Sequence, residues 1–322
     1  MRRKAPTLAG SGTQRMFRFG MVHSGPPPKK PWPEYVRNLE GMGYQTVLLT
    51  DHMDGQLSPT PALAAAAMAS PTVRLGCLVL NNDFYRPAMI ARDAATLHHL
   101  SEGRFELGLG AGWDPRDYDP LGVELQRPAV RLARLAESIR LVRSYLAGQP
   151  FSFTGAHYQV RMDEPAVAPV EPPGPPIIVG AGGPRALRLA GELADIVSVN
   201  PRLGAHTVTG GMINPADVDD MPAKVALVRE GAGDRMDRIE LSVSVYAAFV
   251  TPDTDRAARL VARQIGTDPE RVLRSAHVLV GSVDHIADTL RRRRDDWGVS
   301  YVIADELIHQ ALAPVAERLA GT

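Results

Sequence analysis

The chain has 322 residues, 44% hydrophobic and 22% charged, a composition ordinary for a soluble globular enzyme with ample core. Lysine plus arginine and aspartate plus glutamate each total 36, and the resulting zero net charge argues against a nucleic-acid or membrane-surface partner selected by bulk charge. The lone Cys77 leaves no intramolecular disulfide framework or cysteine zinc site and fits a reducing cytoplasm, and no apolar run reaches the roughly 18–20 residues that span a bilayer.

Residues 1–15 are basic but lack the apolar core of a signal peptide. They are expected to be a disordered or loosely attached tail ahead of a single domain over 16–322. From Phe17 onward, short runs of Val, Leu and Ile alternate with longer segments of helical period. Strands are expected at 17–22, 46–50, 73–80 and 104–110, then at 177–180, 195–199, 240–249 and 299–303. Helices are expected near 32–42, 60–69, 87–100, 127–147, 184–193, 221–230, 254–264, 283–296 and 306–320. Continuous apolar strands, each followed by a helix, describe parallel strands buried on both faces. Eight such units without a composition break fit a (β/α)8 TIM barrel better than two halves of a doubly wound sheet.

Two stretches break the rhythm. Within 148–176, FSFTGAHYQVR predicts a β-hairpin turning at Thr154-Gly155, and a proline-rich run that cannot be regular helix follows it. The polar stretch 200–220 is too long for an ordinary βα turn and is expected to be a lid or binding loop.

A TIM barrel carries its site at the C-terminal ends of its strands. Those ends hold His23 after strand one, Asp51 and His52 after strand two, and the glycine run to Gly112-Trp113 after strand four. Asp51 and His52 are candidates for general acid–base work, because an imidazole exchanges protons near neutrality. The alternative is that Asp51 caps the next segment and His52 packs on the loop. His23, Trp113 and His206, the last in the long loop, are candidate substrate contacts. No histidine spacing suggests a metal, and none is expected.

The stretch IIVGAGGPRALRLAGELAD invites a dinucleotide reading, which fails on three counts. Arg185 stands where the third glycine belongs, the next strand ends at Asn200 rather than an acid, and four strands precede the motif. What remains is an anion cradle at Gly182-Gly183, with Pro184 suited to the first helical position. A tight turn with glycines for steric reasons is the alternative.

These residues together resemble the luciferase-like flavin and deazaflavin family of (β/α)8 barrels, over essentially 17–320. The telling pieces are TVLLTDH, VRLGCLVLNNDFYRP, ATLHHLSEGRFELGLGAGW and PIIVGAGGPRALRLAGELAD. The resemblance implies a coenzyme F420-dependent oxidoreductase acting on a small organic molecule, with His52, beside Asp51, as proton donor or acceptor. It implies a non-proline cis peptide at Leu78–Val79 supporting the cofactor ring. It further implies cofactor contacts at Asp51, Ala111, Gly112, Gly180 and Ala181, with Gly182, Gly183 and Arg185 at its phosphate. Family relatives are commonly dimers, so a homodimer is expected. An FMN-dependent monooxygenase and a non-catalytic cofactor-binding barrel are the other readings the family offers. Some sugar-phosphate dehydrogenases of the family carry Glu where this chain has Trp113 and Trp where it has Gln56. Those departures count against sugar-phosphate oxidation.

Overall fold

The computed structural model describes residues 14–164, 173–202 and 220–322. Nearly all of the expected N-terminal tail, the proline-rich run and most of the long loop with His206 lie outside the described residues. The first half of the chain forms β1 (Arg18–His23), α1 (Trp32–Gly41), β2 (Thr46–Leu49), α2 (Pro59–Ala69), β3 (Arg74–Cys77), β4 (Leu80–Asn81), α3 (Pro87–Leu100) and β5 (Phe105–Gly110). Next come α4 (Pro115–Tyr118), α5 (Pro128–Leu146), β6 (Phe151–Thr154), β7 (Gln159–Met162), β8 (Ile177–Ala181), α6 (Pro184–Leu193), β9 (Ile196–Val199) and α7 (Met221–Ala232). The chain ends with β10 (Glu240–Val245), β11 (Ala247–Val250), α8 (Thr254–Ile265), α9 (Pro269–Arg274), β12 (Val278–Gly281), α10 (Val283–Trp297), β13 (Val299–Asp305) and α11 (His309–Leu319).

Strands β1, β2, β3, β5, β8, β9, β10 and β13 pair in parallel, and the β13–β1 pairing closes them into the eight-stranded barrel that the alternation of strands and helices predicts. Proline within the first turn starts α2, α3, α5 and α6, where its missing N–H costs the helix nothing. Val22, Leu48, Ile178, Ile196, Tyr301 and Ile303 fill the barrel interior as a cluster separate from the larger one that also takes in the surrounding helices.

The structure departs from the pattern-based expectation in three places. The expected third strand is interrupted after Cys77 by a cis Leu78–Val79 peptide and resumes as β4. The glycines of β5 accommodate this interruption: a Cβ at Gly108 would meet the Cys77 carbonyl oxygen at 1.8 Å, and one at Gly110 would meet Val79 Cγ2 at 2.3 Å. The expected seventh strand is two, because Tyr246 donates its N–H to His277 and sends β11 off to pair with β12 outside the barrel. Four-residue β12 and the short helices α4 and α9 are too brief for periodicity to reveal. The hairpin forms as expected between β6 and β7, its turn fixed by Glu137, which accepts N–H bonds from Ala156, His157 and Tyr158.

The N-terminal end of the barrel is closed by charge. Glu106, wholly buried on β5, takes Arg18 Nη1 at 2.7 Å and Arg74 Nε at 2.6 Å. Arg18 also forks onto Glu240 and lies 4.0 Å over the Tyr301 ring. Burial pushes the Glu106 carboxyl up, but Arg18 and Arg74 outweigh it and hold it below the usual range. A carboxyl depressed in the folded state stabilises the fold above its unfolded value, and that contribution fades as pH drops below about 4.3. Glu106→Ala removes the buried carboxylate that Arg18 and Arg74 share, leaving Arg18 with Glu240 alone, and should lower the unfolding free energy by about 3–5 kcal/mol in urea titration at neutral pH. The wild type should lose stability progressively below the unfolded glutamate pKa, and this variant should lose less over that acid range.

Candidate active site

A cavity of about 640 Å³ opens at the C-terminal ends of the barrel strands. Asp51, His52, Leu78, Val79, Ala111, Gly112, Trp113, Gly180, Ala181, Gly182, Gly183 and Arg185 all line it, so the fold brings nearly every residue expected at the site into one wall. Its apolar flank comes from Leu78, Val79, Ala111 and Trp113, and polar positions come from the ends of β1, β2, β9, β10 and β13.

The glycine turn owes its form to two different pressures. A Cβ on Gly182 would sit 2.2 Å from the Pro201 carbonyl oxygen, so the β8 and β9 ends approach only over a bare backbone. Gly183 faces open space and serves as the N-cap of α6 without a side chain to bond the first turn. The N–H groups of Arg185 and Ala186 therefore have no partner within the helix, which makes this end of the cavity suited to an anion, with the Arg185 side chain beside it.

The neighbours Asp51 and His52 do not face each other. Asp51 Oδ2 accepts the Asn81 N–H at 2.9 Å and Oδ1 accepts the Tyr85 hydroxyl at 3.0 Å. Asp51 thus holds β4, just past the interruption, against the end of β2. Burial pushes its carboxyl up, and those two hydrogen bonds oppose the rise. His52 turns instead to Asp117, with Nδ1 2.7 Å from Oδ2. Asp117 Oδ1 accepts the N–H of Met53 at 2.9 Å. The Trp113 ring meets the His52 ring edge-on, 6.1 Å between centroids.

His23, expected as a substrate contact, does not line the cavity. Its ring is buried, with Nε2 3.1 Å from the Pro26 carbonyl and Nδ1 2.6 Å from Glu306 Oε2, and it packs between Trp32 and Tyr35. The Glu306 carboxyl, pushed up by burial, is brought below its usual range chiefly by His23. The corner closes on itself.

Several lining residues escape a reading by motif or strand end: Asp117, Arg131, Arg202, Ser244 and Tyr246. Arg131 is the clearest, buried and donating to the Gly112 carbonyl and, at 2.8 Å, to Gln126 O. Burial pushes the Asp305 carboxyl up and the Tyr246 hydroxyl to about 12. The only signal for Asp117 is its place three residues after Asp114, which caps α4 by accepting the Arg116 N–H.

Atoms of His52, Asp114 and Asp117 suited to binding a metal lie within 4.8 Å of one another, a grouping that sequence spacing does not reveal. The Arg116 guanidinium takes both oxygens of Asp114 and holds its carboxyl low, while Asp117 is bonded through both of its own. Those oxygens are engaged in two separate sets of hydrogen bonds, Asp114 with Arg116 and Asp117 with His52 and Met53.

Residues 15–271 match the family model described as luciferase-like monooxygenase, and the chain belongs to that family. It is 28% identical to the 5,10-methylenetetrahydromethanopterin reductase of Archaeoglobus fulgidus over 281 residues, covering 85% of this chain and 79% of that one. It is 32% identical to the F420-dependent glucose-6-phosphate dehydrogenase of Nakamurella multipartita over 227 residues, covering 67% of this chain and 62% of the relative. Among solved structures, the coenzyme F420 dependent tetrahydromethanopterin reductase of Methanopyrus kandleri superposes with a TM-score of 0.74 at 19% identity, over 95% of this chain and 99% of that one. That likeness is one of fold.

The two glycines should respond differently to alanine. Gly182→Ala drives a Cβ into backbone and should cost about 1–3 kcal/mol in thermal or urea unfolding. Gly183→Ala meets nothing within 4 Å and should stay within about 0.5 kcal/mol of the parent.

Proposed function

We propose that this chain is a coenzyme F420-dependent oxidoreductase that moves a hydride between C5 of the deazaflavin and a small organic substrate, with His52 as proton donor or acceptor. One observation carries the reading: His52 shares a single cavity with the α6 N-terminus, which has no side-chain cap, and with an apolar flank of Leu78, Val79, Ala111 and Trp113. The F420-dependent relatives support the choice of cofactor class.

The residues present fit such a group. The space at Gly183, the first-turn N–H groups without a side-chain cap among the described residues, and Arg185 suit a phosphate. Leu78, Val79, Ala111 and Gly112 offer a smooth apolar wall for a tricyclic ring. Bound there, F420 supplies the carbon that gives or takes a hydride, so that a C=X bond is reduced or its HC–XH counterpart oxidised.

The chain's own work is to bind, orient and move one proton. His52, at the cavity wall, gives a proton to X during reduction or takes it during oxidation. Trp113 shields one edge of the imidazole and presents an indole where the family's sugar-phosphate dehydrogenases carry a carboxylate. Gln56, where those enzymes carry tryptophan, is turned to the strand ends, donating to Ser24 O at 2.6 Å. Both departures count against a sugar phosphate, and Trp113 supports a partly apolar substrate.

Titration with F420 should quench the tryptophan fluorescence at micromolar concentration, and Arg185→Ala should weaken that binding roughly tenfold or more. Tight FMN binding with no F420 response would overturn the cofactor reading in favour of an FMN monooxygenase. His52→Ala should lower kcat about 10²–10⁴-fold while leaving F420 binding near the parent value. Unchanged turnover would remove His52 from the mechanism.

A further inference from the structure

We infer that Asp117 is the positioning residue of the active-site acid: it fixes His52 as the Nδ1-protonated tautomer and reserves Nε2 for the substrate. The inference rests on the proposed role of His52, and it is built from hydrogen bonds. An ionised carboxylate only accepts, so the 2.7 Å contact with Asp117 Oδ2 requires a proton on His52 Nδ1. The neutral ring then carries its lone pair on Nε2.

Asp117 is itself held. Its second oxygen accepts the Met53 N–H, so one carboxylate grips both the imidazole and the backbone of the next residue. Its side chain is only 7% exposed, on a short helix whose N-cap is Asp114. The competing partners are occupied: Arg116 is paired with Asp114, and Asp51 spends both oxygens on Asn81 and Tyr85. Trp113 stands edge-on to the ring and limits its rotation. Position, tautomer and orientation of His52 therefore all pass through a residue 65 positions away.

This arrangement lets one nitrogen serve both directions. In oxidation, with the cofactor bound to take the hydride, the Nε2 lone pair would accept the X–H proton. In reduction, the imidazolium returns the Nε2 proton to X as the hydride arrives. In either direction Nδ1–H stays on Asp117, and the carboxylate takes no proton.

Asp117→Asn is the decisive variant, because the two contacts use different carboxylate oxygens and the amide keeps an acceptor at only one of those positions. Retaining the backbone bond turns its amide NH₂ toward Nδ1 and switches the ring to Nε2–H. Long-range ¹H–¹⁵N spectra of the full chain, with F420 and without, at a pH where imidazoles are neutral, should show His52 protonated at Nδ1. Asp117→Asn should show the Nε2-protonated form. Its kcat should fall about 10²–10⁴-fold, with KM and F420 affinity within a few-fold of the parent. A wild-type ring protonated at Nε2 would overturn the inference without recourse to any variant. So would a folded Asp117→Asn enzyme with parental kcat. If His52→Ala leaves turnover intact while the tautomer responds as described, the proposed function fails and the positioning geometry stands.

Discussion

A barrel of eight parallel strands buries both faces of its sheet, so any charge inside it must find its partner inside it. At the floor of this barrel that partner set is Glu106 with Arg18 and Arg74, backed by Tyr301 and Glu240. The residues come from β1, β3, β5, β10 and β13, and each charged group is useful only if those strands are in register. A buried ion pair is weak evidence for extra stability, because desolvation offsets much of its attraction, but breaking it is costly. Its consequence here is that the floor is occupied by matched charge and the middle by Val22, Leu48, Ile178 and Ile303, while the described cavity opens at the top.

At the top, the same need for partners shapes the site. Asp51 answers Asn81 and Tyr85, Asp114 answers Arg116, Asp117 answers His52 and Met53, and Glu306 answers His23. Asp305 is the least provided for, with Leu307 N–H at 2.9 Å and only the Ser24 hydroxyl at 3.5 Å. Polar groups on the cavity wall are thus mostly committed to holding one another, which is what a preorganised site requires. The anion end of the cavity is the exception: the first-turn donors of α6 have no side chain to cap them.

The barrel was legible because its signal is redundant. Eight apolar runs and their helices repeat one pattern, and losing β12 or splitting the seventh run did not disturb the count. Strand ends also indicated correctly where a cavity would lie, since every barrel of this kind opens on that side. Adjacency was a poorer guide. Successive residues at a strand end point in different directions, so Asp51 and His52 diverge despite sharing a peptide bond. His23 shows the same limit, placed at a strand end yet drawn aside by Glu306 and two aromatic rings.

What this sequence determined by itself is the alternation of strands and helices, the glycines that permit close backbone approach, and the short list of chemical groups near the strand ends. These follow from local periodicity and from the absence of side chains, which need no knowledge of distant neighbours. The tertiary structure alone decided which carboxylate serves His52 and which histidine is sealed away. Each of those is a hydrogen-bond assignment between residues far apart in the chain, and only closure of the barrel brings the partners within 3 Å.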